Sequence, residues 1–285
     1  MTSRSFWKLG LLGKPIAHSL SPSIHAGALN CSGLRGEYHL YEVEEALLSD
    51  AIARLRLGEL QGFNVTTPYK ESVMTFCDGL DPVAELVGAV NTLLFRKGRL
   101  LGYNTDVLGL EAMLRERWPK LPWRGHPCVI QGAGGAAKAA CVVAKNTGAS
   151  MIRITNRTIA RADQLAREMS DRLGLQCIAA EPTEAFTDAG LVLQCASVGV
   201  NNVQGNRIAQ DARHWMGMTH PNSVVMDLVY SPAVPPFIRG ARAAKRDGVG
   251  GRGMLLKQAL CSFELWTGEA VSMDALIRET GLVIE

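Results

Sequence analysis

The chain has 285 residues, 47% of them hydrophobic and 20% charged, and a formal net charge of +3. That is enough apolar material for one large core or two smaller ones, and too mild a charge to argue for nucleic acid or a membrane surface as partner. The seven cysteines (31, 77, 128, 141, 177, 195 and 261) form no CxxC pair, so they indicate neither a zinc site nor a disulfide framework; reduced thiols in a cytoplasm are the simplest reading.

Met1 to Leu12 is too short and too broken for a signal peptide, and no apolar run reaches the roughly 18 residues of a membrane span. "KLGLLG" reads as a strand and "SPSIHAGALNCSGL" as a helix. "EYHLYEV" is a strand, and "EEALLSDAIARLRLGEL" has an apolar face at helical spacing. "GFNVT" is a strand, "PYKESVMTFCD" a helix, and "VNTLLFRKGRLLGYNT" a pair of strands joined at Lys97-Gly98. A long helix, "DVLGLEAMLRERW", follows. The break "PKLPWRGHP" precedes "CVIQGAGGAAKAACVVAKNTGASMIRITNR", which reads strand, glycine turn, helix, strand: a new βαβ unit. "GLVLQCA" and "SVVMDLVY" read as buried strands, and the chain after "DGVGGRGMLL" mostly as helix. Such alternation predicts an α/β protein.

Three helix starts share one form. Ser21-Pro22, Thr67-Pro68 and Thr105-Asp106 each put a hydroxyl residue at an expected N-cap, followed by proline or an acid. Each alone is explained as an ordinary cap. As a group they suggest anion or polar-ligand sites, because βα turns gather at the carboxyl ends of strands.

The fourth start, "GAGGAAK", carries the dinucleotide pattern. Gly132 and Gly134 take its first two places and Ala137 the third, directly after the strand "CVIQ". An NAD site usually has an acid about twenty residues on. Here the residues are Asn156, Arg157 and Thr158, with Arg161 one turn later. Guanidiniums attract a ribose 2′-phosphate and a carboxylate would repel it, so NADP is the expected cofactor. The alternative, less favoured, is that the two arginines are a solvated helix face.

The ordered motifs "SLSPSIH", "NVTTPYK", "GAVNT", "GYNTD", "GAGGAA", "NRT", "DLVY" and "GMLLKQA" resemble those of the shikimate dehydrogenase family over nearly the whole chain. The resemblance implies a two-domain α/β fold. A substrate-binding domain would span residues 1–106, a Rossmann NADP-binding domain 107–245, and C-terminal helices 246–285 would return to the substrate domain, with the active site in the cleft. It implies NADPH-dependent reduction of 3-dehydroshikimate to shikimate, with no metal. A homodimer is compatible with it. By motif, Ser19 and Ser21 would bind the substrate carboxylate. Thr66, Asn91, Asp106, Tyr230 and Gln258 would hold ring hydroxyls, and Lys70 would be the acid–base group beside Asp106. Gly132, Ala133, Gly134, Gly135 and Ala136 would take the pyrophosphate, and Asn156, Arg157, Thr158 and Arg161 the 2′-phosphate. Leu228 and Gly251 would border the nicotinamide.

Four departures from the family pattern stand out: Ala26 after the histidine of "SPSIH", the stretch "QCASVG" (194–199) for an Asn-Ala-Thr/Ser type, Pro235, and Gly250. Quinate or aminoshikimate dehydrogenases are the rival enzymes, and both serines of "SLSP" favour shikimate. A non-catalytic NADP sensor would not need Lys70 and Asp106.

Overall fold

The fold comes from a computed structural model, which describes residues 6–200 and 203–284. Contacts divide the chain into two compact units. One runs to Gly109 and takes up again over Leu256–Leu282; the other is Leu110–Leu255 with the last residues from Val283.

The first unit is built on strands β1 (Phe6–Gly13), β2 (Arg35–Glu42), β3 (Gly62–Val65), β4 (Gly79–Leu80), β5 (Thr92–Arg96) and β6 (Arg99–Tyr103). Their order is β2-β1-β3-β5-β6-β4. β1 pairs in parallel with β2 and β3, and β5 runs antiparallel to β3 and β6. Side chains alternate across the sheet. Leu9 and Leu11 of β1 therefore join Tyr38, Leu94 and Trp266 on one face, while Leu12 joins Phe63, Val65, Leu93 and Leu100 on the other. The β5–β6 hairpin turns at Lys97 and Gly98 with φ of 51° and 76°. Two positive φ values match the right-handed strand twist, which is why glycine suits the second place. Helices α1 (Ser21–Ser32), α2 (Leu48–Arg56) and α3 (Pro82–Val87) connect these strands, and α4 (Thr105–Arg117) leads on from β6 towards the next strand of the chain.

Three sequence expectations need correction here. "PYKESVMTFCD" is not an α-helix but a turn followed by a 3-10 helix over Ser72–Phe76. The Lys70 carbonyl, which a helix would give to residue 74, accepts instead from the Val90 N–H at 2.7 Å. Thr67-Pro68 therefore starts no α-helix. Nor do Ser21 and Thr105 act as caps; each is the first residue of its helix. α1 follows Leu20 with no side-chain cap, and Asn104 caps α4, its Oδ1 accepting from the Val107 N–H at 3.3 Å.

The second unit holds β7 (Cys128–Gln131), β8 (Ile152–Thr155), β9 (Cys177–Ala179), β10 (Leu191–Gln194), β11 (Val224–Asp227) and β12 (Asp247–Val249) in the order β12-β11-β10-β7-β8-β9. Each pairing is parallel. This is the doubly wound order, with its switch point between β7 and β10. Helices α5 (Gly135–Asn146), α6 (Ile159–Leu173), α7 (Pro182–Phe186), α8 (Gly205–Met216) and α9 (Pro236–Ala243) accompany it. Val129, Val192 and Val225 pack with Phe186, Phe237 and Ile238 in the core. Because Asp247–Val249 pairs with β11, the expected boundary at residue 245 falls short.

α10 (Arg252–Thr267) belongs to the first unit from Leu256 onward, and α11 (Met273–Thr280) follows it. Among the described residues, no helix is long and apolar enough to cross a membrane, and no group of three or more His, Cys, Asp or Glu could hold a metal ion.

Candidate active site

Lys70 lies in the turn after β3, and the Val90 N–H anchors its backbone carbonyl. Its Nζ lies 2.5 Å from Asp106 Oδ2, and the two side chains are 15% and 8% exposed. Asp106 is the second residue of α4, where the helix N-terminus favours a carboxylate. Its other oxygen, Oδ1, accepts from Asn91 Nδ2 at 2.9 Å. Asn91 Oδ1 accepts from the Thr105 N–H at 2.8 Å. A backbone N–H can only donate, so the Asn91 amide is fixed with its NH₂ towards Asp106.

The network continues inward. Asn91 Nδ2 also reaches Thr105 Oγ1 at 2.9 Å and Gln258 Oε1 at 3.3 Å. Ser262 Oγ lies 2.8 Å from Thr92 Oγ1 and 3.1 Å from Thr105 Oγ1. Asn64 Nδ2 donates to Ser262 Oγ at 3.0 Å, and Asn64 Oδ1 accepts from the Tyr38 hydroxyl at 2.9 Å. Asn64, Asn91, Thr92, Thr105, Asp106 and Ser262 are all buried. Buried polar groups held on several sides have little freedom to turn, so Lys70 rests on a rigid base.

Ser19 and Ser21 form a separate pair, with hydroxyls 3.1 Å apart and the Ser21 N–H donating to Ser19 Oγ at 3.2 Å. Thr66 sits on the turn before Lys70. Its amide donates to the Leu12 carbonyl, and its hydroxyl bonds to none of the described residues.

His25 is fully buried and stacks on Tyr38 at 4.3 Å between ring centroids. Neither ring nitrogen has a hydrogen-bond partner. Burial pushes its pKa down to about 3, with nearby Asn64 opposing weakly. The unfolded chain takes up this proton near pH 6.5, so the stabilising effect is complete above that pH and is lost as pH falls towards 3. Between pH 7.5 and 4.5 this should cost about 2–3 kcal/mol. In urea unfolding, His25→Leu should remove that part of the acid loss, whatever its stability at pH 7.5. An equal acid loss in both proteins would mean that His25 is not the group responsible.

In the second unit, β7 ends at Gln131 and α5 begins at Gly135, with Gly134 as its N-cap. Gly132 has φ of 123°. A side chain there would be strained and would press on the Ala196 backbone N at 3.0 Å. A Cβ on Gly134 would meet no protein atom within 4 Å. Open space beside unpaired N–H groups at a helix N-terminus fits a pyrophosphate. One strand over, Asn156 Nδ2 donates to the Thr158 carbonyl, and Thr158 is the N-cap residue of α6. Arg157 and Arg161 are exposed, and neither forms an ion pair among the described residues. Two free guanidiniums at a helix start suit a phosphate.

Leu228 and Tyr230 follow β11. Gly251 packs so closely on this turn that an added Cβ would lie 2.3 Å from the Leu228 carbonyl oxygen. The Tyr230 carbonyl accepts from Arg252 Nε at 3.1 Å, and burial raises its phenol pKa. Burial likewise pushes Asp227 up to about 8, against hydrogen bonds from the Val229 N–H and Gln194.

Comparison with known proteins decides the family. The family described as "Shikimate dehydrogenase substrate binding domain" matches residues 11–93. A shikimate dehydrogenase (NADP(+)) of Methanopyrus kandleri is 38% identical over 94% of this chain and 92% of its own length. This chain belongs to the shikimate dehydrogenase family. The shikimate 5-dehydrogenase of Thermus thermophilus, solved in complex with NADP(H) and shikimate, superposes with a TM-score of 0.79 at 30% identity, covering 96% of this chain and 98% of that one. The Listeria monocytogenes shikimate 5-dehydrogenase, solved with shikimate and NAD, gives 0.84 at 30% identity and covers 96% of each chain.

The shikimate dehydrogenase motifs fall into two groups. Lys70, Asn91, Asp106 and Gln258 share the network of the first unit, with Ser19, Ser21 and Thr66 in the same unit. The glycine loop, the Asn156–Arg161 stretch, Leu228, Tyr230 and Gly251 belong to the second. Sequence reasoning passed over Asn64, Thr92 and Ser262 as network members, and Gln194 and Asp227. The available signal was a polar residue within or ending a run of buried apolar ones.

Proposed function

We propose that this chain catalyses the reversible NADPH-dependent reduction of 3-dehydroshikimate to shikimate, in the pathway to chorismate and the aromatic amino acids. The observation that carries the reading is the Lys70–Asp106 pair, 2.5 Å apart and seated on a buried polar network. Relatives named shikimate dehydrogenase (NADP(+)) cover the chain almost end to end.

NADPH, when bound, supplies the hydride. Reduction leaves charge on the ketone oxygen, and Lys70 donates a proton there while its own charge stabilises the alkoxide. Asp106 and Asn91 hold Lys70 in place. Alcohol oxidation runs the same steps in reverse, with the amine taking up the hydroxyl proton. Ser19 and Ser21 hold the substrate carboxylate, and Thr66, Asn91, Asp106, Tyr230 and Gln258 the hydroxyls. Gly132, Ala133, Gly134, Gly135 and Ala136 would hold the pyrophosphate, and Asn156, Arg157, Thr158 and Arg161 the 2′-phosphate. Leu228 and Gly251 would border the nicotinamide. The seven cysteines are in no disulfide among the described residues, which supports a cytoplasmic enzyme.

The test is NADPH formation on adding shikimate, with quinate and NAD in parallel. Rapid turnover with shikimate and NADP is expected. Preference for quinate would reassign the substrate, and tight NADP binding without any turnover would leave a sensor.

A further inference from the structure

Gln131, Gln194 and Asp227 stand level with one another at the carboxyl ends of β7, β10 and β11. Gln194 and Asp227 are fully buried. The Gln194 amide uses both its ends. Its Oε1 accepts from the Ala196 N–H at 2.5 Å, and its Nε2 donates to the Ala196 carbonyl at 2.9 Å and to Asp227 Oδ1 at 3.1 Å. One side chain thus pairs both backbone groups of Ala196, as a neighbouring strand would. Asp227 Oδ1 in turn accepts from the Val229 N–H at 2.9 Å. The Ala196 nitrogen is the atom that a side chain on Gly132 would strike. A single buried amide therefore sets the turn after β10, the turn after β11, and the backbone facing the first glycine of the loop after β7.

Topology says which half of a dinucleotide these turns serve. β8, with Arg157 and Arg161 beyond it, lies on one side of β7; β10 and β11 lie on the other. A dinucleotide bound across the switch point, with its 2′-phosphate at β8, has its nicotinamide end over β10 and β11. We propose that Gln194 is a positioning residue for the nicotinamide half of the cofactor, clasping Ala196 and Asp227 so that both turns hold one shape. This rests on the reading of the glycine loop as an NADP site. In this chain the clasp uses the full reach of glutamine, with one end accepting and the other donating; ionised glutamate cannot donate, and methionine does neither.

The experiment compares whole NADPH with adenosine 2′,5′-bisphosphate, a fragment lacking nicotinamide, by titration with wild type and Gln194→Met. The variant should bind NADPH roughly tenfold or more weakly, as expected from two or more lost hydrogen bonds, and the fragment within about twofold of wild type. Retained fragment binding also shows that the unit has folded. Equal weakening of both ligands, or no weakening of NADPH, overturns the proposal. If Gln194→Met does not fold, Gln194→Asn, which keeps both polar groups at shorter reach, is read by the same comparison. Wild type that binds neither ligand would instead overturn the NADP reading itself, and the proposal with it.

Discussion

Lys70→Ala should lower kcat for shikimate oxidation by about 10²–10⁴-fold while KM for shikimate moves only a few-fold. On the proposed assignment the loss falls on kcat, because Lys70 would act on charge that develops during the reaction, whereas Ser19, Ser21 and Gln258 would hold the ground state. The backbone should stay in place, since Val90 bonds to the Lys70 carbonyl rather than to its side chain. Asp106 keeps its hydrogen bond from Asn91 but loses its cation. Some loss of stability should follow, so the melting temperature must be read beside the rates. Steady-state kinetics in both directions decide the matter. A raised KM with unchanged kcat would make Lys70 a binding residue and remove the acid–base assignment.

The second large effect concerns cofactor choice. Arg157→Ala and Arg161→Ala should each weaken NADP binding about 10- to 150-fold, the worth of a charge-assisted hydrogen bond of roughly 1.5–3 kcal/mol. NAD affinity should stay within about twofold, because NAD lacks the phosphate that the guanidiniums would grip on the proposed reading. Both side chains are exposed and without ion pairs among the described residues, so neither replacement breaks an internal contact. The double variant should therefore lose most of its preference for NADP. Titration of wild type and variants with both dinucleotides reads this directly. Parallel weakening of NADP and NAD would mean that the arginines support the fold rather than select the phosphate.

The βαβ unit after residue 127 was legible in the sequence because its cause is local. Three short apolar runs, "CVIQ", "LVLQ" and "VVMD", are buried on both faces, and a glycine turn links the first to a helix. The hairpin at Lys97-Gly98 was legible for the same reason: two adjacent residues set its turn. The helix read at "PYKESVMTFCD" failed because local preference there competes with a hydrogen-bond partner twenty residues away, and the Val90 N–H takes the carbonyl that the helix needs. The caps assigned to Ser21 and Thr105 failed more narrowly. Hydroxyl residues suit an N-cap, but at α4 the adjacent Asn104 occupies that place.

The sequence by itself determined the α/β class, the glycine loop at the start of α5, the arginines where an NAD site has an acid, and the motif order that marks the family. These depend on residues near one another in the chain, where spacing alone carries the geometry. Tertiary structure decided what those residues touch. It placed Asp247–Val249 in the second sheet, brought Ser262 of α10 onto Thr92 and Thr105, set Asp106 against Lys70, and closed Gln194 on Asp227. Most of these partners lie tens to hundreds of residues apart in the chain. Their meeting depends on sheet order and register, which follow from packing the whole unit and appear in no local stretch of sequence.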